Sequence, residues 1–117
     1  MKTILIVDDE FEVTDILRWL FEWNDFKVHT AANGREALSS VERHAVDLCI
    51  IDLMMPIMDG IELVRHMKEN PATQSIPIIM MSAGPPDFDD IKFDYFFRKP
   101  FLFQDLLAQV KTILNGA

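Results

Sequence analysis

The 117-residue sequence predicts a three-layer α/β domain, a doubly wound five-stranded parallel sheet with helices on both faces. Three observations carry that reading. Short, unbroken apolar runs bounded by turn signals suit strands buried on both faces. Segments of helical apolar spacing separate these runs, and such alternation implies right-handed βαβ units. Four of the runs also stop at polar groups: Asp8-Asp9, Asp52, Ser82 and Lys99.

Taken in order, Ile4 to Val7 is the first strand, ending at Asp8-Asp9-Glu10. From Phe11 to about Asn24 the spacing is helical, with Val13, Ile16, Leu17 and Leu20 expected on one inward face. Trp19 and Trp23 fall on its flank. Phe26 to Thr30 reads as a strand, Asn33-Gly34 as a turn, and Glu36 to about His44 as a second helix on Ala37, Leu38 and Val41. Asp47 to Ile51 is the third strand. Asp59 is placed to cap a third helix running to about Lys68, with Ile61, Leu63, Val64 and Met67 inward. Asn70-Pro71 stops it. Ile76 to Met81 forms the fourth strand, with Pro77 at its start because proline donates no ladder hydrogen bond. Residues 83–93, with Pro85-Pro86, leave room for no more than a short or irregular fourth helix. Tyr95 to Arg98 is the fifth strand, and Phe103, Leu106, Leu107, Val110, Ile113 and Leu114 mark a closing helix.

Composition narrows the function. One domain over residues 1–117 is expected, large enough to bury a core without staples. Eleven Lys and Arg against 19 Asp and Glu give a formal charge of −8, which argues against nucleic-acid binding. The single Cys49 lies within an apolar run, which disfavours a disulfide. No apolar stretch is long enough for a signal-peptide core or a membrane span, so a cytoplasmic chain is expected. His29, His44 and His66 lack metal-like spacing and are expected at the surface or on helix flanks.

In a parallel sheet all strand C-termini share one edge, where open α/β folds bind ligands. Asp8, Asp9, Asp52, Ser82 and Lys99 therefore converge on one pocket. Clustered carboxylates repel one another and call for a divalent cation. Hard oxygen donors suit Mg²⁺, with Mn²⁺ as a substitute. A lysine and a hydroxyl beside the metal point to an anionic group such as phosphoryl.

Four motifs sit at these strand ends: Ile4-Leu5-Ile6-Val7-Asp8-Asp9-Glu10, Ile51-Asp52-Leu53-Met54-Met55-Pro56 with Asp59-Gly60, Met80-Met81-Ser82-Ala83, and Lys99-Pro100-Phe101. Together they resemble the response-regulator receiver domains of two-component signalling, the CheY-like family, over essentially the whole chain. The resemblance implies a flavodoxin-like sheet of order 2-1-3-4-5. It implies a phosphorylation-dependent switch, not an enzyme acting on other molecules, with Asp52 the phosphoacceptor. The donor would be a histidine kinase, a histidine phosphotransfer protein or a small acyl phosphate. Asp8, Asp9, Asp52 and the backbone carbonyl of Met54 would hold Mg²⁺, and Lys99 would meet the phosphoryl oxygens. Ser82 and Phe96 would be the switch pair, and Lys99-Pro100 a cis peptide. A downstream effector or output domain of unspecified kind and a phosphorylation-dependent dimer are implied as well.

The chain departs from the family in two places. Met54 and Gly84 flank the path of a hydrolytic water without strong hydrogen-bonding side chains, so slow dephosphorylation is expected. Only sixteen residues lie between Ser82 and Lys99, a shorter connection than the family usually carries. This puts the usual output face in doubt, with Phe88, Phe93, Tyr95 and Phe97 as an aromatic replacement. In the family the first helix receives the kinase-side helical domain, and Trp19 and Trp23 would be anchors there. Two alternatives belong to other classes. A silent interaction module of the same fold would lack one of the acids or the lysine, and this chain has all of them. A haloacid-dehalogenase-like phosphatase would carry its nucleophile after the first strand with a second Asp two residues on, where this chain has Glu10.

Overall fold

A computed structural model describes residues 1–84 and 91–115. The elements run β1 (Thr3–Val7), α1 (Phe11–Trp23), β2 (Lys27–Ala31), α2 (Gly34–Arg43), β3 (Leu48–Asp52), α3 (Gly60–Glu69), β4 (Ile78–Ser82), β5 (Tyr95–Arg98) and α4 (Phe103–Leu114). All pairings are parallel and the sheet order is β2-β1-β3-β4-β5, the doubly wound arrangement expected from the alternation.

Strand alternation divides the core in two. Leu5, Val7, Cys49, Ile51, Ile78 and Met80 face α2 and α3, where Ala37, Val41, Leu63, Val64 and Met67 meet them. Ile4, Ile6, Leu48, Ile50, Ile79 and Met81 face α1 and α4, where they meet Leu17, Phe21, Leu106 and Val110. β1, β3 and β4 are buried along their whole length, which is why they read as unbroken apolar runs rather than alternating ones.

Two aspartates clamp the far edge of the sheet. The Thr3 N–H donates to Asp47 Oδ2 at 2.8 Å, while the Asp47 N–H donates to the Thr3 carbonyl at 2.8 Å. Asp94 makes the same reciprocal pair with Ile78, again at 2.8 Å in both directions. Each clamp ties the chain entering one strand to the start of its neighbour.

Several boundaries differ from the sequence reading. Phe26 lies before β2, its N–H bonded to the Phe21 carbonyl at 3.1 Å to close α1. Asn33 does not form a simple turn with Gly34; it caps α2, accepting from the Glu36 N–H at 3.0 Å. Ile76 and Pro77 precede β4, and Pro77 lends only its carbonyl, to Cys49 N at 3.0 Å. Ile16 is not inward: it is 60% exposed, because Thr14, Leu17 and Phe21 set the buried arc of α1 and rotate it toward solvent. Ile61 is only partly buried. The expected irregular fourth helix falls largely on residues 85–90, outside the described residues; Ile91 to Phe93 form neither helix nor strand.

The loop after β3 is held by close backbone approach. The Gly60 N–H donates to the Leu53 carbonyl at 2.9 Å, and a Cβ on Gly60 would lie 2.5 Å from the Asp52 carbonyl oxygen and 2.9 Å from Leu53 Cα. Gly60→Ala must displace either the start of α3 or the end of β3, and a cost of about 2–4 kcal/mol is expected in urea denaturation. Gly84→Ala is the control: its nearest neighbour, Ser82 Oγ, is at an ordinary 3.9 Å, and the midpoint should hardly move.

Candidate functional site

Register builds the site. Val7 pairs with Ile51, so the next residues, Asp8 and Asp52, emerge side by side from adjacent parallel strands. Both have the parity of the strand residues facing α1 and α4. Ser82 pairs with Arg98, which sets Lys99 one residue beyond, and the Lys99 N–H donates to the Ser82 carbonyl at 2.8 Å. The Lys99–Pro100 peptide bond is cis.

Asp8 and Asp52 are buried, at 1% and 5% exposure, while Asp9 is open to solvent. The three offer carboxylate oxygens that all lie within 4.8 Å of one another. Lys99 reaches across from the other side of the fold, its Nζ 2.8 Å from Asp8 Oδ2 and 3.7 Å from Asp52 Oδ2. Asp8 is further fixed by its other oxygen, which accepts from the Glu10 N–H at 2.9 Å as the chain turns into α1.

The electrostatics follow from this crowding. Burial, and then the neighbouring Asp8 charge, push the Asp52 carboxyl up to about 6; Lys99 and the Met54 backbone N–H pull it partway back. Burial alone would lower the Lys99 ammonium. The Asp8 hydrogen bond and the charges of Asp52, Asp8 and Glu10 outweigh it, so Lys99 is held above its usual value and stays protonated. Glu10, read from sequence only as part of the first motif, is thus an electrostatic member of the site.

The remaining sequence-selected residues fall in three places. Ser82 is fully buried, its Oγ accepting from the Gly84 N–H at 3.2 Å. Phe96 is half-buried against the cluster facing α2 and α3. Met54 is 70% exposed and lines a cleft of about 430 Å³ with Asp9, Leu53, Met55, Pro56, Asp59 and Ile61. Asp59 does cap α3, accepting from the Glu62 N–H at 2.9 Å, and it also borders this cleft. Trp19 and Trp23 stand apart on α1, 63% and 77% exposed, with their rings stacked at 5.9 Å.

Sequence reasoning missed the exposed Phe11, Ile57 and Leu102. For Phe11 and Leu102 the signal was present, because each lies three residues beyond a strand-end site residue, Asp8 and Lys99. It also missed a stack of His29 on His44, with ring centroids 4.0 Å apart.

Comparison with known proteins agrees with this geometry. The profile of the response regulator receiver domain matches residues 4–111. The chain is 35% identical over 119 residues to the alkaline phosphatase synthesis transcriptional regulatory protein PhoP of Bacillus subtilis, covering 97% of this chain and 49% of that protein. It is 34% identical to the phosphate regulon transcriptional regulatory protein PhoB of Rhizobium meliloti, covering 100% of this chain and 54% of that one. The chain thus spans about half the length of these curated relatives. Among solved structures, the signal receiver domain of a histidine kinase from Syntrophus aciditrophicus superposes with a TM-score of 0.92 at 31% identity, covering 100% of this chain and 92% of that one. The response regulator TrrA of Thermotoga maritima, solved in complex with Mg²⁺-BeF, superposes at 0.87 with 31% identity, covering 97% and 100%. Among the described residues no helix is long and apolar enough to cross a membrane.

The crowding has a measurable consequence in the metal-free protein. Asp52 has a folded pKa raised from 3.8 to about 6, so the fold prefers its protonated form. That preference is fully present below the unfolded value and is lost as pH rises through about 6. Asp52→Asn should therefore stabilise the metal-free protein at pH 8 by about 1–2 kcal/mol, a rise on the order of 5–10 °C in Tm. At pH 4 the two proteins should melt together. Thermal denaturation in EDTA at both pH values checks this.

Proposed function

Because the chain belongs to the response regulator receiver domain family, we propose that it is a phosphorylation switch of a two-component system in which Asp52 accepts the phosphoryl group. The observation that carries the reading is the cluster itself, three carboxylates within 4.8 Å with Lys99 bonded to one and facing another. Residues 1–117 then act as one receiver domain, and the acceptor is stoichiometric: it is consumed once per phosphoryl group.

The donor set fits a hard divalent cation, since crowded carboxylates repel until a cation offsets them. Asp8, Asp9 and Asp52 would hold Mg²⁺, or Mn²⁺, together with the Met54 backbone carbonyl. When bound, the cation supplies positive charge for the phosphoryl oxygens. The chain supplies the rest. An Asp52 carboxylate oxygen attacks phosphorus while the bond to the donor's leaving group breaks, and that electron pair departs with the donor. Lys99, kept charged by Asp8, offsets the oxygens on the other side. Ser82 would exchange its Gly84 N–H partner for a phosphoryl oxygen, and Phe96 would move into the space released. Met54 and Gly84 bring no strong hydrogen-bonding side chain to a hydrolytic water, which favours a long-lived phosphorylated state.

The natural donor in this reading is a histidine kinase or histidine phosphotransfer protein in the cytoplasm. The signal passes to an effector by a change in partner binding or dimerisation, without direct contact between this domain and nucleic acid. The exposed Ile16, Trp19 and Trp23 stripe on α1 would receive the donor's helical domain, since aromatic anchors dominate such interfaces.

Incubation with acetyl phosphate and Mg²⁺ should add one phosphoryl mass, ~80 Da, with no adduct on Asp52→Asn or in EDTA. An adduct that ignores both changes would end the proposal. The same adduct should decay faster in Met54→Asn/Gly84→Glu than in wild type. Trp19→Ala should lose roughly tenfold in phosphotransfer rate from the cognate kinase, while acetyl phosphate labels it normally. Equal kinase rates would remove the tryptophans from the interface.

A further inference from the structure

We propose that the open edge of the sheet carries a second, separate anion site, a pocket between α1, β2 and α2 that binds a phosphate group. This inference does not depend on the chemistry of Asp52.

β2 is the outermost strand, paired only with β1. Along it a cavity of about 260 Å³ is walled by Arg18 of α1, His29 and Thr30 of β2, and Ser39, Ser40, Arg43 and His44 at the end of α2. Residues from three elements therefore line it, two arginines, two histidines and three hydroxyl residues against one carboxylate, Glu36. Such a spread of donors suits a tetrahedral oxyanion better than a planar carboxylate, and arginine is the usual partner of phosphate.

The one carboxylate in the wall of this cavity, that of Glu36, is paired with neither arginine. Its oxygens accept from Asn33 Nδ2 at 3.1 Å and Ala32 N at 3.4 Å, at the start of α2. Arg18 Nη2 donates to Thr30 Oγ1 at 3.0 Å, while its buried Nε has no hydrogen-bond partner. Arg43 Nε donates to the Ser39 carbonyl at 3.3 Å. Among the described residues no carboxylate pairs with either arginine. With neither arginine paired to a carboxylate, the two positive charges beside the cavity lack a counterion, which an anion bound there would supply.

His29 reports the same imbalance. Its ring and that of His44 stack at 4.0 Å and 14°. Burial, then His44, Lys27 and Arg18, hold His29 below its usual value. The charged and titratable groups facing it are Arg18 from α1, Lys27 on its own strand, and Glu36, Arg43 and His44 from α2. Asp15 and Glu22 flank Arg18 on α1 but share a different cleft with it. A bound anion would favour the protonated His29 imidazole, so binding should move the His29 titration to higher pH.

The test titrates the full chain with inorganic phosphate, against chloride at constant ionic strength, following the imidazole C–H resonances. His29 and His44 should shift saturably and His66 should not. Saturation with phosphate should move the His29 titration to higher pH, and an unmoved titration would overturn the site. Arg18→Gln and Arg43→Gln should each weaken it about tenfold or more, while Lys111→Gln leaves it unchanged. Arg43 is exposed, so its variant should fold even where that of Arg18 does not. Methyl phosphate separates the sources: saturation by both ligands marks a site for phosphate esters, and saturation by inorganic phosphate alone marks one for the free ion. Either outcome sustains the site. Linear, non-saturating shifts, or an unchanged affinity in Arg43→Gln, would overturn it and leave a solvated cation cluster that guards an exposed sheet edge.

Discussion

Two carboxylates that the backbone forces together under cover of the fold are the constraint on which this structure turns. The Val7–Ile51 pairing leaves Asp8 and Asp52 no other place to emerge, and burial strips away the water that would screen them. Lys99 is the partial answer. It arrives from 91 residues away and closes on Asp8 at 2.8 Å, tying the end of β5 to the end of β1. The compensation is incomplete, because Asp52 still sits well above the usual carboxylate range. One ammonium cannot balance three carboxylates, so the site retains an electrostatic demand that a cation would meet. A resting state with this unmet demand is sensitive to what binds there, as a switch requires.

The surrounding backbone exists to hold that arrangement still. α3 begins so close to the end of β3 that only glycine fits at residue 60. The loop between them is tied on its other side by Gly34, whose N–H donates to the Met58 carbonyl at 3.1 Å. Within the loop Ile57 is held at φ 69°, a conformation that costs a β-branched residue on the order of 1–2 kcal/mol, with its side chain 74% exposed. Strain, an exposed apolar group and a tight backbone thus occur together beside Asp52. The Asp47 and Asp94 clamps secure the opposite edge, which keeps the strands from sliding and so protects the register that aligns the carboxylates.

The fold was legible because its strands are buried on both faces and its helices on one, and those two patterns differ in period. The convergence of Asp8, Asp9, Asp52 and Lys99 was legible for a related reason: parallel strands point one way, so strand-end residues must meet. What escaped reading depended on rotation and on side-chain reach. Ile16 lies a single residue from the buried Leu17, and whether it faces in or out is decided by Thr14 and Phe21 locking the helix onto the sheet. Asp47 read as the first residue of the third strand, whereas it precedes β3 and clamps β1; sequence cannot show such a side chain, or that of Asp94, closing onto the neighbouring strand. The His29–His44 stack joins a strand to the end of a helix fifteen residues on, and no periodicity marks such a pair.

Net charge describes the molecule at long range. A formal charge of −8 argues against nucleic-acid binding by the chain as a whole. Recognition, though, acts over a few ångströms, and screening confines each charge to about 8–10 Å at physiological ionic strength. Folding sorts the charges: Asp8, Asp9 and Asp52 gather at the C-terminal ends of the central strands, while Arg18, Arg43 and two imidazoles gather along the outermost strand. Glu36 lines the second cluster, its carboxylate bonded to Asn33 Nδ2 and Ala32 N and to neither arginine. Local placement, not overall composition, therefore sets the balance of charge in each pocket of an acidic protein. The same physics works with opposite sign at the two sites, each concentrating like charge beyond what its own neighbours neutralise and each defined by the ion that would complete it.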